Sequence, residues 1–458
     1  GKRPLPGFFL KDYDAASRWF EKLVRFLKDT QGVLEAYNDN MARSDCTGFI
    51  LNAQVWGASQ RFFRSLLVSC KIPSVIQMAK KAYDEGMAPI IAMWSTGGSA
   101  IAQAKSHDEI VSAPRQSFAL LMEKFDFEQE DDVIARSTWA KDDEKAAKIA
   151  REMHQARLEE LRESFAELKL PPNPLDAIKD ALGGHDHVAE CSGRDVVQQR
   201  KVLNPNKFEN VSRTSLFGDG KISMTDCNSQ ERMAFQNGTK RYALITAAAS
   251  TGFSLHADKK VTNQRRRIMF VIEFTWAADN TMQQFGRCHR SNQSSAPIYK
   301  IVTAHIAGES RFASSIASKI RELGALTRGD REAAMGDNEA LGQTFFDIYG
   351  KEALKQTLMT ILGLRLDGSS ALVREFKPPE PMPPCVTAEG YSLDDYMTDA
   401  VNAFRGQDIS EKDLEKSAEP GNKNPKVNVK RFFNRILCMQ TRIQQCIYLD
   451  FKMRFDLL

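Results

Sequence analysis

Four short apolar runs constrain the fold more than any other feature of this sequence. They occupy 88–94, 242–245, 268–272 and 298–302, and the last three are separated by longer mixed segments. Runs of this length that are mostly aliphatic or aromatic are typical of strands covered on both faces, and parallel strands need long crossover connections between them. The pattern therefore predicts βαβ units built on a parallel sheet.

The composition is that of an ordinary globular protein. The 458 residues include 63 Lys and Arg against 59 Asp and Glu, a net charge of +4, and 42% of the residues are hydrophobic. At about 100–200 residues per domain this length predicts two or three domains. The near balance of charge excludes a histone-like polycation, so a nucleic-acid surface has to be a local patch. No apolar run approaches the roughly 20 residues that cross a bilayer, and the first residues lack a secretory signal pattern, so we expect an intracellular protein with no membrane partner.

The cysteines and histidines predict neither disulfides nor a metal site. The eight cysteines stand at positions 46, 70, 191, 227, 288, 385, 438 and 446, with no C-x-x-C pair. Scattered cysteines in a long chain are typical of reduced thiols. His185 and His187 could ligate a metal, but no cysteine or second histidine pair stands at ligand spacing, so we expect no metal.

Outside the predicted strands the sequence is mainly helical. Apolar residues recur at helical spacing in the first seventy residues, at 312–323 and in the last thirty residues. The segment 119–170 is highly charged and ends at the prolines of 171–174. We interpret it as a solvated helical insertion or hairpin rather than a functional acidic patch. Five prolines between Pro378 and Pro384 mark a linker.

The segment 279–290 carries the densest chemical signal. Asp279 suits a helix N-cap, and Gln283, Arg287 and Arg290 follow at a spacing that puts them on one helical face. Two guanidinium groups on one face can bind a phosphate through paired hydrogen bonds.

The opposite face of this predicted helix carries Met282, Phe285 and His289, which we expect to pack against the sheet. The alternative is a solvated face with surface salt bridges. That alternative is disfavoured because no Asp or Glu occurs between Asp279 and Glu309.

Two loops of small residues follow predicted strands. Ser250, Thr251 and Gly252 come after the strand at 242–245, and Ser95 and Thr96 come after the strand at 88–94. Small and hydroxyl residues let a phosphate or sugar approach the backbone, and ligands of parallel sheets bind beyond the carboxyl ends of the strands. Tight turns need the same residue types, so each loop alone is a weak signal.

Several of these segments resemble known motifs. Gln283, Arg287, His289, Arg290 and Gln293 resemble motif VI of superfamily 2 helicases. The wider stretches at 250–258, 263–267 and 284–293 resemble the strawberry notch family, and further matches lie at 56–64, 95–97, 203–205, 210–213, 311–314, 323–327, 329–331 and 431–437. The resemblance covers most of the chain and is most specific over 188–331.

The resemblance implies an α/β fold: a RecA-like parallel sheet flanked by helices, with a helical insertion and a mainly helical C-terminal extension. It divides the chain as follows: 1–118, a helical lead-in and the first part of the second RecA-like lobe; 119–180, the charged helical insertion; 181–310, the rest of that lobe; and 311–458, the helical extension with its proline-rich linker near 377–385.

The resemblance also implies roles for individual residues. Arg287 and Arg290 fall on the motif that supplies arginine fingers to ATP held by the first lobe, and Gln283 falls on a position that helps organise that site. The residues that match motif V, which couples the nucleic-acid groove to ATP, are Ser250, Thr251, Gly252, His256 and Asp258. Ser95 and Thr96 match motif IV territory, near the nucleic-acid backbone.

An arginine triplet precedes one predicted strand. Arg265, Arg266 and Arg267 are compatible with phosphate contacts to nucleic acid, which would make binding strongly salt-dependent. An equally good interpretation is a solvated surface.

No phosphate-binding loop of the form G-x-x-x-x-G-K-[ST] is present. Gly220-Lys221 is followed by Ile222, and Gly350-Lys351 by Glu352. We therefore expect ATP and Mg²⁺ to bind only together with a first RecA-like lobe that is absent from these residues. The 458 residues alone are predicted to hydrolyse ATP negligibly.

Three functional interpretations remain. The first is the C-terminal half of an ATP-dependent nucleic-acid helicase or translocase, and the second is a non-catalytic RecA-like scaffold in a larger nucleoprotein assembly. The third, an unrelated nucleotide-binding α/β enzyme, is disfavoured because no glycine-rich phosphate loop or acid–base pair is found. The expected partners are nucleic acid, either DNA or RNA, and the missing lobe in cis or in trans. Family resemblance favours the nucleus, without excluding an organelle. The initial Gly suggests a processed or trimmed piece.

Overall fold

The computed structural model describes part of the chain in detail. The described residues are 10–36, 53–94, 110–123, 144–201, 203–217, 222–246, 254–273, 283–304, 306–307, 309, 345, 347–366, 372–374, 381–384 and 391–458.

The described residues include nine strands and eleven α-helices. The strands are β1 Ala88–Ala92, β2 Val188–Cys191, β3 Val196–Arg200, β4 Phe208–Ser212, β5 Tyr242–Ile245, β6 Arg267–Val271, β7 Ile298–Ile301, β8 Leu364–Leu366 and β9 Leu372–Arg374. The helices are α1 Leu10–Ala36, α2 Ala53–Asp84, α3 Ala113–Glu123, α4 Glu144–Glu167, α5 Pro174–Ala181, α6 Met224–Asn237, α7 Ile348–Ile361, α8 Leu393–Arg405, α9 Glu411–Ala418, α10 Val429–Ile436 and α11 Thr441–Leu457.

A five-stranded parallel sheet lies at the centre of the fold. Its strand order is β2-β5-β1-β6-β7, and every neighbouring pair is parallel. Ala92 is in register with both Ile245 and Val271, so the carboxyl ends of three adjacent strands lie at one edge of the sheet. The predicted α/β class, a parallel sheet flanked by helices, is confirmed.

Both faces of the sheet are covered by other parts of the chain. Successive residues of a strand point to opposite sides, so each strand contributes side chains to both faces. On one face Ile91, Leu244 and Phe270 pack with α2 and α5. On the other face Ile90 and Met269 pack with the end of α6 and with the segments that follow β5 and β6. The candidate site segments belong to this second face.

The predicted strands are confirmed with small shifts at their ends. β5 has the predicted bounds, and β1, β6 and β7 each differ by one or two residues. β7 is a half-buried edge strand rather than a fully buried one. The sequence also left one sheet strand unpredicted: β2 contains Glu190, a fully buried carboxylate that interrupts the apolar pattern.

Helices form two further apolar clusters outside the sheet. α7 to α11 share one apolar cluster, and α1 packs with α2, α3 and α4 in another that also includes Leu437 and Cys438. The hydroxyl of Tyr13 donates to the carbonyl of Leu437, and Ser17 Oγ donates to the carbonyl of Cys438 at 2.7 Å. These contacts join the first helix to the C-terminal helical region.

The predicted helical character of the lead-in and of the C-terminal end is confirmed, whereas the helix predicted at 312–323 lies outside the described residues. The domain boundaries stay a prediction. Among the residues that the structure covers, no helix is both long and apolar enough to cross a membrane.

Candidate nucleotide and nucleic-acid site

The candidate site lies at the edge of the sheet where β1, β5 and β6 end. Ser95 and Thr96 follow β1 closely, and Ser250, Thr251 and Gly252 follow β5. These five residues, together with Asp279 and Met282, lie outside the described residues. The strand ends from which both loops leave are adjacent in the sheet.

The segment with Gln283, Arg287 and Arg290 does not form the predicted continuous helix. Its described helical part covers 283–285 and is followed by a turn over 286–288. In that turn the amide of Arg287 donates to the carbonyl of Gln284 at 3.0 Å. The expectation that the three side chains share one helical face is therefore wrong, because the helix ends before either arginine.

The side of this segment that faces the sheet also differs from the prediction. Phe285 lies against Tyr299, with ring centroids 4.4 Å apart, as expected for a residue on the sheet side. His289, however, is exposed, and the buried positions are Gln284 and Cys288. The helical periodicity placed His289 in the core because it was extended through the turn.

The two arginines differ in exposure. Arg290 is exposed, and its Nε donates to the carbonyl of Gly286 at 3.2 Å. Arg287 is half-buried, and both burial and the positive charge of Arg290 lower its pKa. Burial is the larger of the two effects, and a bound anion would oppose both by stabilising the charged guanidinium of Arg287.

The segment after β5 runs alongside residues 283–294, the arginine segment. The amide of Leu255 donates to the carbonyl of Arg287 at 2.7 Å, and the amide of Ser294 donates to the carbonyl of Ala257 at 2.7 Å. An isolated antiparallel bridge joins Asp258 to Gln293. The structure therefore brings together two segments that the sequence places about thirty residues apart.

His256 and Asp258 hold this pairing in place. One carboxylate oxygen of Asp258 accepts from the amide of Lys260 at 2.8 Å and from the side chain of Asn292 at 2.9 Å. The bond from the Lys260 amide is the main cause that lowers the pKa of Asp258. His256 is buried, with Nδ1 3.0 Å from Ser254 Oγ and Nε2 3.2 Å from Asp258 Oδ2.

The arginine triplet lies at the opposite edge of the sheet. It precedes β6, whereas the candidate loops follow the strands. Arg265 and Arg266 are exposed: the Arg265 guanidinium lies 4.4 Å from the centroid of the Tyr83 ring, and Arg266 Nε donates to the carbonyl of Ala296 at 2.7 Å.

Arg267 is fully buried, which corrects the expectation that it contacts nucleic acid. Its guanidinium donates to the carbonyls of Leu255 and Asn263 at 2.8 and 2.9 Å, and to Gln236 Oε1 at 2.6 Å. Burial lowers its pKa to about 10. The side chain fixes the start of β6 to the segment after β5 and has no surface to offer a phosphate.

Sequence reasoning missed two residues at the candidate edge. Gln284 is 2% exposed, and its Nε2 donates to the carbonyl of Met93, just beyond β1, at 3.1 Å. Glu273 follows β6; one carboxylate oxygen accepts from the amide of Trp94 at 2.9 Å, and the other lies 3.3 Å from Arg64 Nε. A carboxylate directly after a buried strand was the available signal for Glu273.

A continuous set of hydrogen bonds follows from these contacts. The carbonyl of Met93 accepts from the side chain of Gln284, the carbonyl of Gln284 accepts from the amide of Arg287, and the carbonyl of Arg287 accepts from the amide of Leu255. The residues before the Ser95 loop, the arginine segment and the segment after β5 are therefore one hydrogen-bonded unit.

The described side chains fit an anion better than a metal. Within the part of the chain that the structure covers, no group of three or more His, Cys, Asp or Glu residues could hold a metal ion. His185 instead lies 3.3 Å from Lys240 Nζ and 3.5 Å from Glu231. Arg287 and Arg290, three positions apart, carry the charge and the paired donors that suit phosphate oxygens.

Comparison with known proteins gives a consistent result. Residues 173–457 match a family model described as the C-terminal domain on strawberry notch homologue. The rat protein strawberry notch homolog 1 is 31% identical over 388 residues, covering 68% of this chain and 30% of the rat protein. The Drosophila melanogaster protein strawberry notch is 43% identical over 198 residues, covering 43% of this chain and 11% of the fly protein.

A plant relative matches about the same share of this chain as the rat protein does. The Arabidopsis thaliana protein FORGETTER 1 is 33% identical over 309 residues, covering 66% of this chain and 23% of the plant protein. The chain spans about a third or less of the length of these three relatives. No solved structure matches the chain.

Proposed function

This chain belongs to the strawberry notch family, and from that premise we propose that its C-terminal helicase-like region is half of an ATP-dependent nucleic-acid helicase or translocase. The family model supports the helicase-like region, and it covers 173–457. The ATP and nucleic-acid functions are the proposal. Its main support is the hydrogen-bonded unit from Met93 through Gln284 and Arg287 to Leu255.

In the proposed function Arg287 and Arg290 act as arginine fingers. ATP and Mg²⁺ bind to a first RecA-like lobe, and the two guanidinium groups neutralise charge that develops on the transferred phosphoryl group. Such groups accelerate phosphoryl transfer by about 10³–10⁵-fold. The half-buried position of Arg287 supports this role, because a partly desolvated guanidinium acts more strongly on a phosphate than a fully solvated one.

Nucleic acid is proposed to lie across the loops after β1 and β5. Ser95, Thr96, Ser250, Thr251 and Gly252 would contact its backbone. A conformational change in the Ser95 loop could be transmitted to Arg287, because Met93, two residues before Ser95, is hydrogen-bonded to Gln284. Arg265 and Arg266 would contact the nucleic acid only if it also reached the opposite edge of the sheet.

A nuclear location, a role in transcription and membership of a larger nucleoprotein assembly are also proposed, on family resemblance alone. A fluorescent fusion of the full-length protein, imaged with a nuclear marker, tests the location. Exclusion of the fusion from the nucleus would contradict it.

Substitution of Arg290 in the full-length protein tests the catalytic proposal. We expect Arg290→Gln to lower the nucleic-acid-stimulated ATPase rate by about 10³-fold, because a transition-state charge is left unneutralised. Arg232→Gln, on α6 and outside the candidate segments, is the matched control and should keep the wild-type rate. ATPase activity of Arg290→Gln within a factor of about three of the control would overturn the arginine-finger role.

A further inference from the structure

A large cleft lies outside the sheet, where α1 meets the C-terminal helices. Its volume is about 900 Å³, and its lining residues come mainly from α1, α8 and α11. The two sides meet at Gly406, where an added Cβ would lie 3.2 Å from Glu21 Cγ on α1. A cavity of this volume is in the range of known ligand sites.

Three arginines from three different helices line this cleft. Arg25 is on α1, Arg405 ends α8 and Arg442 is on α11, and all three are exposed. None of them forms an ion pair with a described residue. The neighbouring Lys28, in contrast, is paired with Asp408 at 3.1 Å.

The carboxylates of the cleft are already engaged. Asp399 accepts a hydrogen bond from the hydroxyl of Tyr391 at 3.1 Å. Glu21 is half-buried, and burial raises its pKa against the opposing effect of Arg18 and Arg25. The described lining residues include three arginines and Lys28 against these two carboxylates, so the cleft presents a net positive charge to a ligand.

The aromatic ring of the cleft is covered. Tyr391 is 8% exposed, and the Arg442 guanidinium lies 4.3 Å from its centroid. None of the described residues that line this cleft presents a bare aromatic face on which a base could stack. Contacts here would be made to phosphates rather than to bases, and such contacts position a strand without reading its sequence.

We propose that this cleft binds the phosphate backbone of a nucleic-acid strand through Arg25, Arg405 and Arg442. Each guanidinium fork can donate to two oxygens of one phosphate, and three forks on three separate helices can therefore contact several phosphates of one strand. The site goes beyond the proposed function, because it lies in the helical region and contains no residue of the sheet or of the arginine segment. It would give the protein a second binding site for the nucleic-acid strand, and binding there would not depend on ATP.

The test compares two variants of the 458-residue chain with equal charge loss. The cleft variant is Arg25→Gln/Arg405→Gln/Arg442→Gln. The control variant is Lys412→Gln/Lys416→Gln/Lys423→Gln, three exposed residues on and after α9. All six side chains are exposed, so thermal unfolding followed by circular dichroism should show both variants folded like the parent.

Fluorescence anisotropy with a labelled single strand of roughly 20 nucleotides, as DNA and as RNA, measures binding at several salt concentrations. We expect the cleft variant to bind at least about tenfold more weakly than the control, with the slope of log K against log salt reduced by about two. Equal affinity and slope in the two variants would overturn the proposal. Neither variant alters the proposed ATP site, so this result is independent of the ATPase test.

Competitors identify the source of the phosphates. In one outcome, inorganic pyrophosphate or ATP binds the parent but not the cleft variant, while the cleft and control variants bind the strand equally. The cleft would then bind phosphate groups, but the proposal that they belong to a nucleic-acid strand would be overturned. If polyglutamate binds in a cleft-dependent way and the strand does not, the proposal is overturned in favour of an acidic protein segment.

Discussion

At the scale of single residues, Gln284 is expected to contribute to the stability of the fold, whereas its neighbour Gln283 is not. Gln283 is exposed, whereas Gln284 is buried with its amide bonded to Met93. We expect Gln284→Met to lower the free energy of unfolding by about 1 kcal/mol, because the buried carbonyl of Met93 loses its donor while the side-chain volume is kept. The loss is partly offset, because the substitution also removes Gln284 Oε1, which is buried without a hydrogen bond from a described residue.

Gln283→Met is the matched control and should change stability by less than about 0.5 kcal/mol. Urea unfolding of both variants measures the difference. In the full-length protein, Gln284→Met should also reduce the stimulation of ATPase by nucleic acid more than it reduces the basal rate. Equal stability of the two variants would contradict the position assigned to Gln284.

His185 makes stability depend on pH. Burial, followed by the positive charges of Lys240 and Lys179, lowers the pKa of His185 from 6.5 to about 4. The unfolded chain therefore takes up a proton that the folded chain excludes between these values, and stability falls as pH falls from about 6.5 towards 4.

The contribution of this group is about 1–2 kcal/mol at pH 5, after allowance for its partial exposure. Urea unfolding at pH 7.5 and pH 5 should show a smaller loss in His185→Gln than in the parent or in His289→Gln, a control at an exposed histidine. The same loss in all three proteins would rule out His185 as the cause.

At the scale of elements, the β3–β4 hairpin is fixed to the sheet by buried charges. Arg194 donates to both carboxylate oxygens of Asp176, at 2.8 and 2.7 Å, and to Glu190 at 2.7 Å. Arg200 makes a similar pair with Asp180, at 2.6 and 2.7 Å, in a half-exposed position.

We expect Arg194→Met to destabilise the protein by about 3–5 kcal/mol, because it leaves Asp176 buried without a cation and leaves Glu190 paired with Lys179 alone, at 3.2 Å. Arg200→Met removes an equal charge from a solvated pair and should cost about 1 kcal/mol. Chemical unfolding of the two variants gives the comparison. Similar losses would mean that the buried network does not anchor the hairpin.

The elements also show what could be predicted from the sequence and why. β5 was predictable because Tyr242–Ile245 is apolar throughout, while β2 was not, because the buried charge of Glu190 is neutralised by residues outside the strand. The arginine segment was recognisable, but its helix was predicted too long. Its turn depends on Leu255, which bonds to Arg287 only in the folded chain.

At the scale of the whole molecule, the first helix and the last helices form a unit that no local pattern indicates. Tyr13 and Ser17 bond to the carbonyls of Leu437 and Cys438, more than 400 positions away. The contacts of Gln284 with Met93 and of Glu273 with Trp94 also span 191 and 179 positions. Residue types and spacing predicted the sheet and the arginine segment, but long-range partners such as these become visible only in the structure.

The central claim is that these residues hold half of an ATPase site, and hydrolysis by the separated parts tests it most directly. ATP turnover is measured for the 458-residue chain alone, for a first RecA-like lobe from the full-length protein, and for the two mixed, each with and without nucleic acid. We expect negligible turnover by either part alone, and nucleic-acid-stimulated turnover in the mixture that Arg290→Ala abolishes. Robust turnover by the 458-residue chain alone, lost in Arg290→Ala, would contradict it.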